Sequence, residues 1–111
     1  MADCLFCSMV SGDVSADIVL DTDEVLAFTD INPAAPTHVL VIPKRHVSSA
    51  AELGQADAGL LAAMFEAAAA VGSGLEGGWR LVTNVGPDAG QSVFHLHFHV
   101  LGGRSLGWPP G

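Results

Sequence analysis

Residues 93–101 read Val-Phe-His-Leu-His-Phe-His-Val-Leu, and this alternation of apolar and imidazole side chains suits one regular conformation. A strand has a side-chain period of two, so it sets His95, His97 and His99 on one face and Leu96, Phe98 and Val100 on the other. Successive imidazoles would then stand ~7 Å apart along the chain. The apolar face needs a sheet around it and a layer packed upon it. Three of the five histidines of the chain lie in this run, a concentration that packing does not explain.

The rest of the chain supplies such a sheet. Ile18-Val19-Leu20, residues 25–29, residues 38–42 and residues 79–84 read as strands from their β-branched and apolar content. Residues 30–36, with Pro33 and Pro36, form a loop. Leu60, Leu61, Met64, Phe65, Ala68 and Val71 recur at helical spacing and predict one main helix from about Asp57 to Val71, closed by Gly72 and Gly74. Ser49-Ala50-Ala51-Glu52 fits a capping box ahead of it. A short helical turn is expected within residues 1–16, a flexible loop at 86–91 and an irregular tail after Gly102. Five strands and one long helix make an α+β sheet protein, expected as a single domain over residues 1–111.

The formal charge is -8, with Lys44, Arg45, Arg80 and Arg104 as the fixed cations. That balance argues against nucleic acid and anionic membrane as partners. With no apolar run of ~20 residues and no basic, apolar leader, a cytoplasmic chain is expected. An anionic substrate would have to be held by backbone N–H groups, histidines and hydroxyls. Cys4-Leu5-Phe6-Cys7 is a close cysteine pair of the kind that serves metal binding or redox chemistry.

An imidazole is both nucleophile and base near neutral pH. To attack phosphorus, one ring nitrogen must be bare and aimed while a partner holds the proton on the other. His97, flanked by a histidine on each side, is the natural nucleophile, with His99 placed to reach a phosphate oxygen. Gly90, Gln91 and Ser92 just upstream, with Asn84 at the end of a neighbouring strand, offer an anion cradle. A catalytic zinc held by two of these histidines and His38 fits the spacing equally well. Periodicity leaves both readings open.

Beyond spacing, His95-Leu96-His97-Phe98-His99-Val100-Leu101 matches the signature His-x-His-x-His followed by two apolar residues. Asp30-Ile31, the block from Pro36 to His46, Gly90-Gln91-Ser92-Val93-Phe94, and the ending Leu101-Gly102-Gly103-Arg104 through Trp108-Pro109-Pro110-Gly111 extend the likeness over nearly the whole chain. The chain resembles the histidine triad (HIT) family, and its Hint branch in particular.

The resemblance implies a HIT-like fold, with a five-stranded antiparallel sheet, one main helix, a short N-terminal helix and a sheet continued across a homodimer. It implies hydrolysis or nucleotidyl transfer at the α-phosphorus of purine nucleoside phosphoramidates, through a nucleotidyl-histidine intermediate and without a metal in the chemical step. His97 matches the nucleophile and His99 the phosphate contact. The carbonyl of His95 matches the acceptor that sets the tautomer of His97. His38 matches a fourth histidine in a proton relay, and Ser92 the hydroxyl near the leaving amine. Asn84, Gly90, Gln91, Ser92 and Val93 match the phosphate loop, and Asp30 the carboxylate on the ribose. Phe6, Met9, Val14, Phe28, Ile31 and Leu40 match the purine pocket, and Trp108 an aromatic that reaches the partner's site. Cys4, Cys7, His46 and His95 match the ligands of a structural zinc in bacterial relatives. A dinucleoside polyphosphate hydrolase and a nucleotide-binding regulatory protein with incidental turnover are the alternatives. Phe94 stands where a tyrosine is also common.

Overall fold

The computed structural model describes residues 4–111. Helix α1 (Leu5–Ser11) is followed by β1 (Ile18–Asp21), β2 (Val25–Thr29), β3 (Thr37–Pro43), helix α2 (Ala58–Gly72), β4 (Trp79–Val82) and β5 (Phe98–Gly102). The five strands form one antiparallel sheet in the order β1-β2-β3-β5-β4. This is the α+β architecture that the alternation and the helical spacing predict.

The central strands are apolar on both faces, and each face has its own core. Val25, Ala27, Val39, Val41, Leu96, Phe98 and Val100 pack against Leu60, Met64, Ala67 and Ala68 of α2. Those helix positions follow the i, i+4, i+7, i+8 stripe of a helix lying on a sheet. Met64 has no exposed surface, so truncation to Ala would cost about 2–5 kcal/mol. On the opposite face Leu26, Phe28, Leu40 and Ile42 pack against Phe6 of α1. Helix α1 has 7 residues, too few to hold as an isolated helix. It is held by this packing, by the Cys4 Sγ accepting from Cys7 N at 3.3 Å, and by Gly12 in the left-handed region at its end.

Two local expectations need correction. Ser49 caps a short 3-10 turn, Ala50–Glu52, and not the main helix. The segment before α2 is a second such turn, Gln55–Asp57, where the Asp57 carboxylate accepts from Gly54 N. The histidine run is the other case: hydrogen-bonded pairing begins only at Phe98, opposite Val41, and at His99, opposite Val82. Pro43 ends β3 and has no N–H to offer a ladder. Its carbonyl accepts instead from the His95 ring, and Leu96 N turns to the carbonyl of Val47. The period of two nevertheless persists through the unpaired part, since Leu96 lies in the core under α2 while His95 and His97 touch Phe6 on the other face. The expected short turn near the N-terminus is α1; residues 1–3 of that expectation lie outside the described residues.

Candidate active site and metal cluster

The face of the sheet carrying α1 holds all five histidines in two groups joined at His95. In the first, the hydrogen bonds assign each proton. Ala34 N donates to His38 Nδ1 at 2.9 Å, so that nitrogen presents its lone pair and a neutral His38 carries its proton on Nε2. Nε2 faces His99 Nδ1 at 2.9 Å and donates to it, which leaves the His99 proton on its own Nε2. The Asp30 Oδ2 lies 3.3 Å from the same His38 nitrogen. His97 Nδ1 donates to the main-chain carbonyl of His95 at 2.8 Å, so the bare nitrogen of His97 is Nε2. Thr83 Oγ1 donates to the carbonyl of His97 at 2.9 Å and steadies the backbone there.

The rings of His97 and His99 lie 5.0 Å apart, closer than the ~7 Å strand repeat because they lean together. Burial pushes the His99 ring down to about 4, aided by His97 and His38 and opposed by Asp30. Asp30, His38 and His99 also bring one donor atom each within 4.8 Å of one another. The Ala34 N–H argues against a cation there, because ligation through His38 Nε2 would move the proton to Nδ1, against another donor.

Both His97 and His99 line a cleft of about 280 Å³. Phe6, Met9, Phe28, Ile31 and Leu40 give it an apolar wall, and Asp30, Ser92 and Val93 stand with the histidines. Ile31 is 88% exposed and forms its rim. Leu5, Ser15, Ala16, Asp17, Thr29 and Asn32 also line it, and nothing in their spacing marks them. His38 sits behind His99 and outside the lining. Asn84, Gly90, Gln91, Val14 and Trp108 are likewise outside it. Gln91 is buried, and its amide is spent on the loop: it accepts from Gly86 N and donates to the carbonyls of Ser48 and Val93. Gly90 has φ +103, which closes the Pro87–Ala89 turn and is the reason for a glycine there. Trp108 is 81% exposed, with the Arg80 guanidinium 5.8 Å from its ring.

The second group is Cys4, Cys7, His46 and His95, whose four donor atoms all lie within 4.8 Å of one another. His95 Nδ1 is 3.3 Å from Cys4 Sγ, 3.5 Å from Cys7 Sγ and 3.2 Å from His46 Nδ1; Cys7 Sγ is 3.4 Å from His46 Nδ1. A tetrahedron of two thiolates and two imidazoles around zinc has edges of about 3.3–3.8 Å, so the donors are spaced for that ion. His95 is fully buried, and its Nε2 donates to the carbonyl of Pro43 at 2.8 Å, which turns a bare Nδ1 to the cluster. Burial pushes the His95 ring below its ordinary range, against the Pro43 bond, and so favours the neutral ligand form. Burial and the adjoining Cys4 push the Cys7 thiol up, a cost that a divalent cation would reverse.

Hydrogen-bonded imidazoles on one sheet face, beside a cluster of two thiols and two imidazoles, define a class of small α+β protein. Comparison with known proteins places the chain within it. A family model for the HIT domain matches residues 11–106. An uncharacterized HIT-like protein of Synechococcus elongatus is 44% identical over 111 residues, covering 98% of this chain and 97% of that protein. A 14 kDa zinc-binding protein of Zea mays is 40% identical over 111 residues, covering 96% of this chain and 87% of that protein. A crystal structure of a HIT family hydrolase from Legionella pneumophila superposes with a TM-score of 0.95 at 43% identity, covering 98% of this chain and all of that one. The chain belongs to the HIT family.

Proposed function

We propose that the chain is a nucleotide hydrolase or nucleotidyl transferase acting at the α-phosphorus of purine nucleoside phosphoramidates. One observation carries the reading: His97 Nδ1 is tied to the carbonyl of His95 at 2.8 Å, and its bare Nε2 belongs to a ring lining the cleft. The base lies against Phe6, Phe28 and Leu40, and Asp30 meets the ribose hydroxyls. His97 Nε2 attacks phosphorus; an N–P bond forms, the P–N bond to the leaving amine breaks, and the amine departs with a proton passed from water through the Ser92 hydroxyl. The Nε2–H of His99 contacts a non-bridging oxygen and stabilises the charge that gathers there. Water then attacks the nucleotidyl-His97 and restores the ring as the nucleoside monophosphate leaves. The similar Legionella protein, a HIT family hydrolase, supports the class of reaction.

Cys4, Cys7, His46 and His95 are proposed to hold a structural zinc, in keeping with the donor spacing and with the name of the maize relative. Bound there, the ion would tie α1 to the segment before β5; four protein ligands leave no open position for a substrate. The active form is proposed to be a homodimer, with Trp108 in the exposed tail reaching the partner's cleft.

The test is release of AMP from an adenosine phosphoramidate by wild type and by His97→Ala. Loss of release in the variant is expected; equal rates would refute the reading. Faster turnover of diadenosine polyphosphates than of phosphoramidates would move the substrate class.

A further inference from the structure

Of the four fixed cations, Lys44 pairs with Asp21, Arg45 pairs with Asp57, and Arg80 lies over Trp108. Arg104 alone, among the described residues, is spent on main-chain carbonyls. Its Nη1 donates to the carbonyl of Ser105 and its Nη2 to the carbonyl of Ala34, each at 2.8 Å. Ala34 is the residue whose N–H meets His38 Nδ1. The guanidinium therefore holds one side of the peptide group pair whose other side selects the protonated nitrogen of His38.

The approach of the two segments is built into the sheet. Gly102 pairs with Thr37, so the exit of β5 runs beside the entry of β3. Gly103 follows with φ +91, and a Cβ on it would come within 2.9 Å of Pro36. Any other residue would push the tail away from the loop that bears Ala34. That loop, between Thr29 and Thr37, is fixed at its start by Asp30, whose Oδ1 accepts from Asn32 N, whose N donates to the carbonyl of His38 and whose Oδ2 lies 3.3 Å from His38 Nε2, and near its end by the buried Ala35; Arg104 adds the hold on the exposed Ala34 between them.

We propose that Arg104 is a positioning residue for the histidine relay: it clamps Ala34 so that the Ala34 N–H keeps His38 in the Nε2–H tautomer that donates to His99. The proposal rests on the reading of the site as a catalytic relay, and it concerns a residue that touches no substrate. With the clamp lost, the loop drifts, His38 samples both tautomers, and His99 loses the donor that leaves its own proton facing phosphate. A mainly structural arginine would change the melting temperature and leave the tautomer alone.

The experiment compares wild type, Arg104→Gln and Arg104→Lys. It uses nitrogen NMR of histidine-labelled protein, and kcat and KM on an adenosine phosphoramidate. In wild type the His38 ring nitrogens are expected at the positions of a single tautomer. In Arg104→Gln they move toward averaged positions, kcat falls about tenfold, and KM changes by less than about threefold, as loss of one charge-assisted hydrogen bond implies. Arg104→Lys, which keeps the charge but not the fork that spans both carbonyls, falls between. Unchanged His38 signals in Arg104→Gln overturn the proposal, as does an unchanged kcat beside shifted signals. If His97→Ala turns over as fast as wild type, the catalytic reading fails by itself, and the His38 signals still decide whether Arg104 sets the tautomer.

Discussion

His95 faces two ways: its carbonyl accepts from His97 Nδ1 at 2.8 Å, while its ring presents Nδ1 to Cys4, Cys7 and His46 at 3.2–3.5 Å. The proposed nucleophile and the proposed metal site therefore share one residue. Anything that shifts the cluster shifts the acceptor that aims His97. The first prediction follows from that sharing. Cys7→Ser should lower the zinc content of the purified protein from about one equivalent toward none and the melting temperature by on the order of 10 °C. Elemental analysis and thermal unfolding check both; full stability in a metal-free variant would contradict a structural role.

The second prediction concerns pH. The folded chain holds His99 down at about 4, against an ordinary value of 6.5. Between those values the unfolded chain binds a proton that the folded one refuses, so stability rises with pH there. The contribution of His99 is complete above about 6.5 and is lost as pH falls through about 4. Allowing for solvent screening in the open cleft, it amounts to about 1–2 kcal/mol. Urea midpoints of wild type and His99→Asn across this range give the difference directly. Parallel curves would contradict the assignment.

A third prediction rests on Phe6. Its ring meets Phe28 at 5.4 Å, His97 at 5.2 Å and His95 at 5.9 Å, all edge-on. Phe6→Ala should destabilise the fold by about 3–5 kcal/mol, since the cavity opens between α1 and the sheet. It should also raise KM by loosening the proposed base pocket. Denaturant unfolding is the check, and a loss below about 1 kcal/mol would show that α1 is held by the cysteines alone.

Much of this arrangement is legible in the residue order. The alternation from Leu96 to Val100 and the apolar run through β3 locate the sheet, and the spacing of Leu60, Met64 and Ala68 locates the helix upon it. What escapes the sequence is set by contacts distant along the chain. Strand pairing stops at Phe98 because Pro43 and Val47 redirect the upstream hydrogen bonds, which no local pattern records. Gln91 reads as a donor to phosphate, yet its amide is drawn inward by Gly86, Ser48 and Val93. Ser49-Ala50-Ala51-Glu52 reads as a capping box, but its spacing does not say that a short 3-10 turn, rather than a longer helix, follows it. Thr83 carries no signal, and Arg104 stands in a block that marks the resemblance but says nothing of its contact, since each donates to a backbone carbonyl that only the folded chain brings near.

The measurement that bears most directly on the account is capture of the covalent intermediate. Wild type is mixed with an adenosine phosphoramidate, quenched in alkali within one turnover, digested, and its peptides are weighed. The account predicts one adenylyl group on the peptide that holds His97, located on that ring by fragmentation, and none in His97→Ala. AMP formed in a single turnover with no adduct, or an adduct that survives in His97→Ala, would contradict it.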